Sequence, residues 1–235
     1  MGSLDNIIPP FPDDVPTVPI ARISYSKLKC SDENEMIKVL NASQSDGFFY
    51  LDLIDEPVGQ SLLNDTEDVL TISKRALNIP LDQKMECVAE RGKEMFGYKP
   101  AGAVKQTDKD ARLDTTEFFN VSKDHLLGKS ESRNYPAEIT NQWKDLGRFA
   151  QNCHSLGLMI LRVLAEQLDL PSDEFAKRNK ISSISGDHIR MTKMPGCDFV
   201  DSERIGLASH TDFGSITVLF NWVGGLQIQS HDPSE

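Results

Sequence analysis

Cysteine is scarce in this chain. There are four in 235 residues, Cys30, Cys87, Cys153 and Cys197, and no Cys-x-x-Cys pair. That spacing excludes a disulfide-dense secreted scaffold and a zinc ribbon, and reads as the reduced thiols of a cytoplasmic protein. Clustered positive charge is missing too. Against 36 acidic residues stand 25 basic ones, a net charge of −11, with no Lys/Arg-rich run. Nucleic acid and anionic membranes reward clustered cations, so neither is an expected partner. No apolar run approaches bilayer-spanning length. The start, MGSLDNIIPPFPDD, has no basic segment leading into an apolar one, so no secretory signal is read there. Gly2 is followed by Asn6 where a myristoylation signal wants Ser or Thr. What remains, 39% hydrophobic and 26% charged, is an ordinary globular composition with length enough for a sizeable core.

Residues 1–16 carry Pro9, Pro10, Pro12 and Pro16 and read as an arm. VPIARIS (18–24) reads as a short strand. Ser31, Asp32 and Glu33 suit a helix N-terminus, where carboxylates oppose the positive end of the dipole. Met36, Val39 and Leu40 continue that helix and Gly47 ends it. FFYLDLI (48–54) is expected as a buried strand. A second helix follows Pro57, with Leu62, Leu63, Val69, Leu70 and Ile72 in its apolar stripe, and a short third starts at Pro80. Residues 91–114 read as a long excursion and TTEFFNV (115–121) as a strand. From Ala137 to Leu170, Ile139, Trp143, Leu146, Phe149, Cys153, Leu156, Ile160, Leu164 and Leu168 recur at helical spacing, which predicts one long helix. After residue 184 the segments SGDHIRMTKMP, GLASHTD, GSITVLFN and GGLQIQ read as short β segments. Helices with a few strands, then a strand-rich part, make an α+β pattern rather than βαβ alternation.

The chemistry-bearing stretch is GLASHTDFGSITVLF (206–220). On a strand, His210 and Asp212 would point to one face and could reach one ion. An imidazole and a carboxylate are two corners of the facial triad that holds non-haem iron(II). Five histidines and 22 aspartates in 235 residues place about half a His-x-Asp pair by chance, so the pair alone decides nothing. Its surroundings do more: Gly206 before it, Gly214 after it, then Thr217, an apolar segment and GGLQI.

Together these resemble the stretch around the first two iron ligands of the isopenicillin N synthase-like iron(II)/2-oxoglutarate-dependent dioxygenases. VPTVPIARIS resembles that family's opening strand and GFFYL the strand after its first helix. IPLDQKMECVAERGKEMFGYKPAG and DTTEFFNV resemble its Leu-Pro to Gly-Tyr segment and its Asp-x-x-Glu-x-Phe strand. These matches run in order through residues 16–229. The resemblance implies a double-stranded β-helix, or jelly roll, buttressed by N-terminal helices and by the 137–170 helix along its outer sheet. In these terms residues 17–130 are the N-terminal region and 184–235 the first part of the catalytic core, all in one structural domain. It also implies iron(II) held by His210 and Asp212, 2-oxoglutarate as co-substrate, O₂, and a small organic substrate that is hydroxylated, desaturated or ring-closed, in small-molecule biosynthesis.

Three departures qualify this. The family's third ligand, a histidine, and its co-substrate-binding Arg-x-Ser fall several strands beyond the aspartate, and this sequence has 23 residues after Asp212. The jelly roll is therefore expected to be incomplete at its C-terminal end, with open sheet edges available for self-association. IRMTKMPGC (189–197) has Thr192, Lys193 and Met194 where the family has Asn-Tyr-Tyr. By alternation Arg190, Thr192 and Met194 share a face, expected to be interior; Thr192 would then touch the co-substrate, and Arg190 either meets a substrate carboxylate or is a surface arginine at the strand end. GFFYLDLID lacks the Asn-His-Gly that commonly follows. His188 and His231 are weaker ligand candidates. His125 reads as part of a polar loop, and His154 lies beside the apolar stripe. The alternative is a truncated, non-catalytic member acting as a binding or regulatory protein.

Overall fold

The computed structural model describes residues 13–15, 17–90, 93–103, 113–131, 133–196, 207–224 and 226–228. They fall into two compact units. One lies within residues 1–63, 156–179 and 215–235, the other within 64–155 and 180–214.

In the first unit, β1 (Arg22–Ser24) runs straight into α1 (Tyr25–Lys29), capped by Ser24, whose hydroxyl accepts from Lys27 N. Ser31 takes a left-handed backbone, φ 56°, with Ser31 N donating to Leu28 O and Asp32 N to Lys27 O. That pair of bonds closes the helix and delivers Asp32 as the cap of α2 (Glu33–Gln44), its carboxylate accepting from Glu35 N. β2 (Tyr50–Asp52) pairs with β1 in parallel, Ile23 opposite Leu51. The expected buried strand is thus shorter and only half buried, because this two-stranded ribbon has one packed face; Tyr50 is 55% exposed. Ile23, Leu28, Met36 and Val39 pack with Ile160 and Val163 into this unit's core.

The two long helices each carry a unit boundary. α3 (Pro57–Asn78) follows its predicted stripe, with Leu62 and Ile72 buried, and α4 (Leu81–Met85) follows Pro80 as expected. The single helix predicted over 137–170 is broken into α6 (Ala137–Thr140) and α7 (Trp143–Gln167). At the joint Gln142 N bonds to Ile139 O in a tighter turn, and the α ladder restarts only with Leu146 N to Gln142 O. The apolar periodicity is insensitive to a two-residue joint. The far end closes as the first helix does. Asp169 is left-handed, φ 56°, Asp169 N meets Glu166 O and Leu170 N meets Ala165 O.

In the second unit, β3 (Gly97–Lys99), β4 (Glu117–Ser122) and β5 (His188–Lys193) form an antiparallel sheet in the order β3-β4-β5. β3 lies inside the expected excursion. Gly97 is needed there: at φ +115°, a Cβ would meet the Cys87 carbonyl oxygen at 2.6 Å. Phe119 and Val121 of β4 and Ile189 and Met191 of β5 face Ile72, Ala76 and Leu77 of α3, Ile139 of α6 and Leu146 of α7. The first part of α7 thus joins the sheet core, while Ile160 and Val163 belong to the core of the first unit. α5 (Lys123–Leu126) continues β4, capped by Ser122. This overturns the polar-loop reading of His125. Its ring is buried, Nδ1 3.2 Å from the Tyr135 hydroxyl, because a capped turn at the end of a core strand carries it inward. Burial, followed by the charge of Arg133, holds its pKa below the ordinary histidine value.

Among the described residues, 207–224 and 226–228 contain no strand. The β segments expected there were read from composition, and a strand exists only when a neighbour completes its hydrogen-bond ladder.

Candidate metal centre

β5 builds one side of the site. Its alternation sends Ile189 and Met191 into the core and leaves His188, Arg190 and Thr192 on the opposite face, directly across from Ser122, Asn120 and Phe118. Arg190, Thr192 and Met194 are exposed rather than interior. The apolar residues of β4 and β5 commit one sheet face to the helices, so the polar set takes the other.

His210 and Asp212 lie together without a strand. The His210 Nδ1 sits 2.9 Å from the Ala208 carbonyl oxygen. That oxygen can only accept, so the proton of a neutral ring belongs on Nδ1. Nε2 then presents a lone pair, 3.3 Å from Oδ1 of Asp212. Two lone pairs facing at that distance repel unless a proton or a cation stands between them. Adjacent ligands of an octahedral ion, each roughly 2.1 Å from it, have donor atoms about 3 Å apart. The pair therefore fits two neighbouring corners of a metal site, and both side chains are about half exposed. The backbone bond on Nδ1 fixes the ring, as the hydrogen bond on the non-ligating nitrogen does in metal proteins. Among the described residues, no group of three or more His, Cys, Asp or Glu side chains is placed to hold a metal.

The neighbourhood is electrostatically linked. Asp212 acts on both His188 and Arg190. The His188 ring bonds the Gly186 carbonyl oxygen through Nδ1 at 2.8 Å. Burial pulls its pKa below the ordinary value, against the opposing effects of the Gly186 bond, Asp187 and Asp212. Partial burial likewise lowers the Arg190 pKa, and Asp212 opposes it. His231, Gly206 and Gly225 lie outside the described residues. Sequence reasoning passed over Asn120 and Phe118, although the alternation in EFFNV already put both on one face.

A family model described as non-haem dioxygenase in morphine synthesis, N-terminal, matches residues 15–146. This chain belongs to the non-haem iron(II)/2-oxoglutarate-dependent dioxygenases. Among the relatives of this chain, the 2-oxoglutarate-dependent dioxygenase gloE of Glarea lozoyensis is 32% identical over 88% of the chain and 61% of its own length. The 2-oxoglutarate-dependent dioxygenase frbH of a Dothideomycetidae species is also 32% identical, over 90% of the chain and 63% of its own length. A full-length Neurospora crassa protein, solved in complex with alpha-KG, shares the fold with a TM-score of 0.64 at 20% identity, over 83% of this chain and 62% of its own. The chain spans about three fifths of the length of these relatives.

Proposed function

We propose that this protein is an iron(II)- and 2-oxoglutarate-dependent oxygenase that hydroxylates, desaturates or closes a ring in a small organic molecule. The observation that carries the reading is the His210–Asp212 pair, with Nε2 bared by the Nδ1 bond and 3.3 Å from the carboxylate, in a chain of this family. His210 and Asp212 would hold the metal. When bound, iron(II) offers open positions to 2-oxoglutarate and O₂. On the adjoining sheet face, the Thr192 hydroxyl would touch the co-substrate and Arg190 a substrate carboxylate. The β3-β4-β5 sheet would form one wall of a jelly roll, incomplete at its C-terminal end. A non-catalytic binding role has less support, since relatives matching along nearly all of this chain bear dioxygenase names.

The test is an anaerobic titration of the purified chain with iron(II), then 2-oxoglutarate, followed by absorbance. A saturable visible charge-transfer band that is lost in His210→Ala and Asp212→Asn is the expected result. A band of equal strength in all three proteins would overturn the assignment of these ligands. Folded wild type that binds no iron(II) would overturn the metal reading of the pair in this chain.

A further inference from the structure

Among the described residues, the cations around the β3-β4-β5 sheet are matched by carboxylates, with one exception. Lys84 and Lys193 pair with Glu117, Lys99 with Asp114, Lys123 with Asp124 and Arg133 with Glu94. Arg190 is held by a neutral amide instead. Its Nε donates to Oδ1 of Asn120 at 2.9 Å, and its guanidinium lies over the Phe118 ring at 4.4 Å. Asn120 is 3% exposed and is itself fixed, with Nδ2 donating to the Met95 carbonyl oxygen at 2.9 Å. Packing and a buried amide thus orient the guanidinium without neutralising its charge. The carboxylate that acts on Arg190 electrostatically is Asp212, half of the candidate metal pair.

We propose that Arg190, aimed by Asn120 and stacked on Phe118, is a carboxylate seat beside the metal pair. The inference rests on the oxygenase reading above, which gives Arg190 a substrate carboxylate. It deepens that reading by naming Asn120 and Phe118 as the groups that aim the guanidinium, and its test separates a substrate carboxylate from that of the co-substrate. A guanidinium fork matches a carboxylate through two parallel N–H bonds, and the Nε bond to Asn120 leaves the terminal nitrogens for that purpose. Arg190 is itself exposed, so a ligand can reach those nitrogens from solvent. Asn120 is a positioning residue: an acceptor at Oδ1 sets the angle of the fork, and neutrality keeps the charge available. Aspartate in its place would keep the acceptor and cancel the charge.

The test uses the whole chain free of metal, so its failure is distinct from failure of the iron assignment. Arginine Nε–H resonances are followed by NMR during titration with benzoate and, separately, with 2-oxoglutarate. The Arg190 resonance, assigned by its loss in Arg190→Gln, is expected to shift saturably, with affinity on the order of millimolar for so small a ligand. Arg190→Gln and Asn120→Asp should each weaken the affinity about tenfold or more. In Asn120→Asp the Arg190 Nε–H signal should persist, a signature that loss of folding would erase. Saturation by benzoate assigns the seat to a substrate carboxylate, and saturation by 2-oxoglutarate alone assigns it to the co-substrate. No saturable shift in folded wild type, or equal affinity in both variants, overturns the proposal.

Discussion

Replacing Glu117 should be a strongly damaging polar change in the sheet unit. One carboxylate oxygen, Oε2, receives Lys84 Nζ at 2.6 Å and the Tyr98 hydroxyl at 2.5 Å. Lys84 also donates to the Leu77 carbonyl at 3.2 Å and is nearly buried, so the ion pair ties the end of α3 and α4 to β3 and β4. Removing one partner of a buried pair strands the other charge, at about 3–5 kcal/mol. Glu117→Gln keeps the shape but not the charge and should cost about 3 kcal/mol. The exposed Lys193, 3.7 Å from Oε1, should matter by less than about 1 kcal/mol when changed to Ala. The double change Lys84→Met with Glu117→Leu should recover much of the loss, since it removes both desolvation costs. Urea unfolding read by Trp143, which packs against Tyr135 in the same core, measures all three variants in a Trp222→Phe background. The pH dependence gives a second check. Burial pushes the Glu117 pKa up, but the bonds from Lys84 and Tyr98 outweigh it, so the folded value is depressed. A depressed carboxylate stabilises fully above its unfolded pKa of about 4.3, and the contribution vanishes as pH falls through the folded value. Glu117→Gln should flatten that acid limb. An unchanged urea midpoint in Glu117→Gln, or a double variant as weak as the single one, would refute the reasoning.

Three further outcomes follow from the packing. Phe119, fully buried with its ring 5.0 Å from that of Tyr98, should cost about 3–5 kcal/mol on truncation to Ala, read as a lower urea midpoint. The Cys153 thiol, its pKa pushed up to about 12 by burial and then by Asp65, should stay unreactive to a disulfide reagent at pH 8, while exposed Cys30 reacts; Cys153→Ser should leave the fast phase unchanged. Leu207, Phe213, Ile216, Leu219, Val223 and Leu226 are all exposed, so the folded chain should bind an apolar dye and self-associate. Phe213→Ser with Leu219→Ser should reduce both in dye titration and sedimentation.

Local chemistry was legible wherever a residue's neighbours in sequence determine its conformation. Asp32 capping α2, Gly47 beyond its end, the start of α3 at Pro57 and the alternation of EFFNV and HIRMTK all act over a few residues, and each appears where the sequence places it. The approach of His210 to Asp212 was expected from strand alternation, whereas Nε2 and Oδ1 lie 3.3 Å apart in a segment that forms no strand. Long-range neighbours were not legible. The joint at residues 141–142 hides inside one apolar stripe, His125 is carried inward by a turn that only the sheet explains, and, among the described residues, 207–224 and 226–228 lack the ladder that would make them strands. The same holds for the site. The sequence put Arg190 and Thr192 on one face, but which face is covered depends on where the helices dock. That Asn120, 70 residues away, holds the guanidinium is decided by strand register, which is a property of the paired sheet and not of either strand alone.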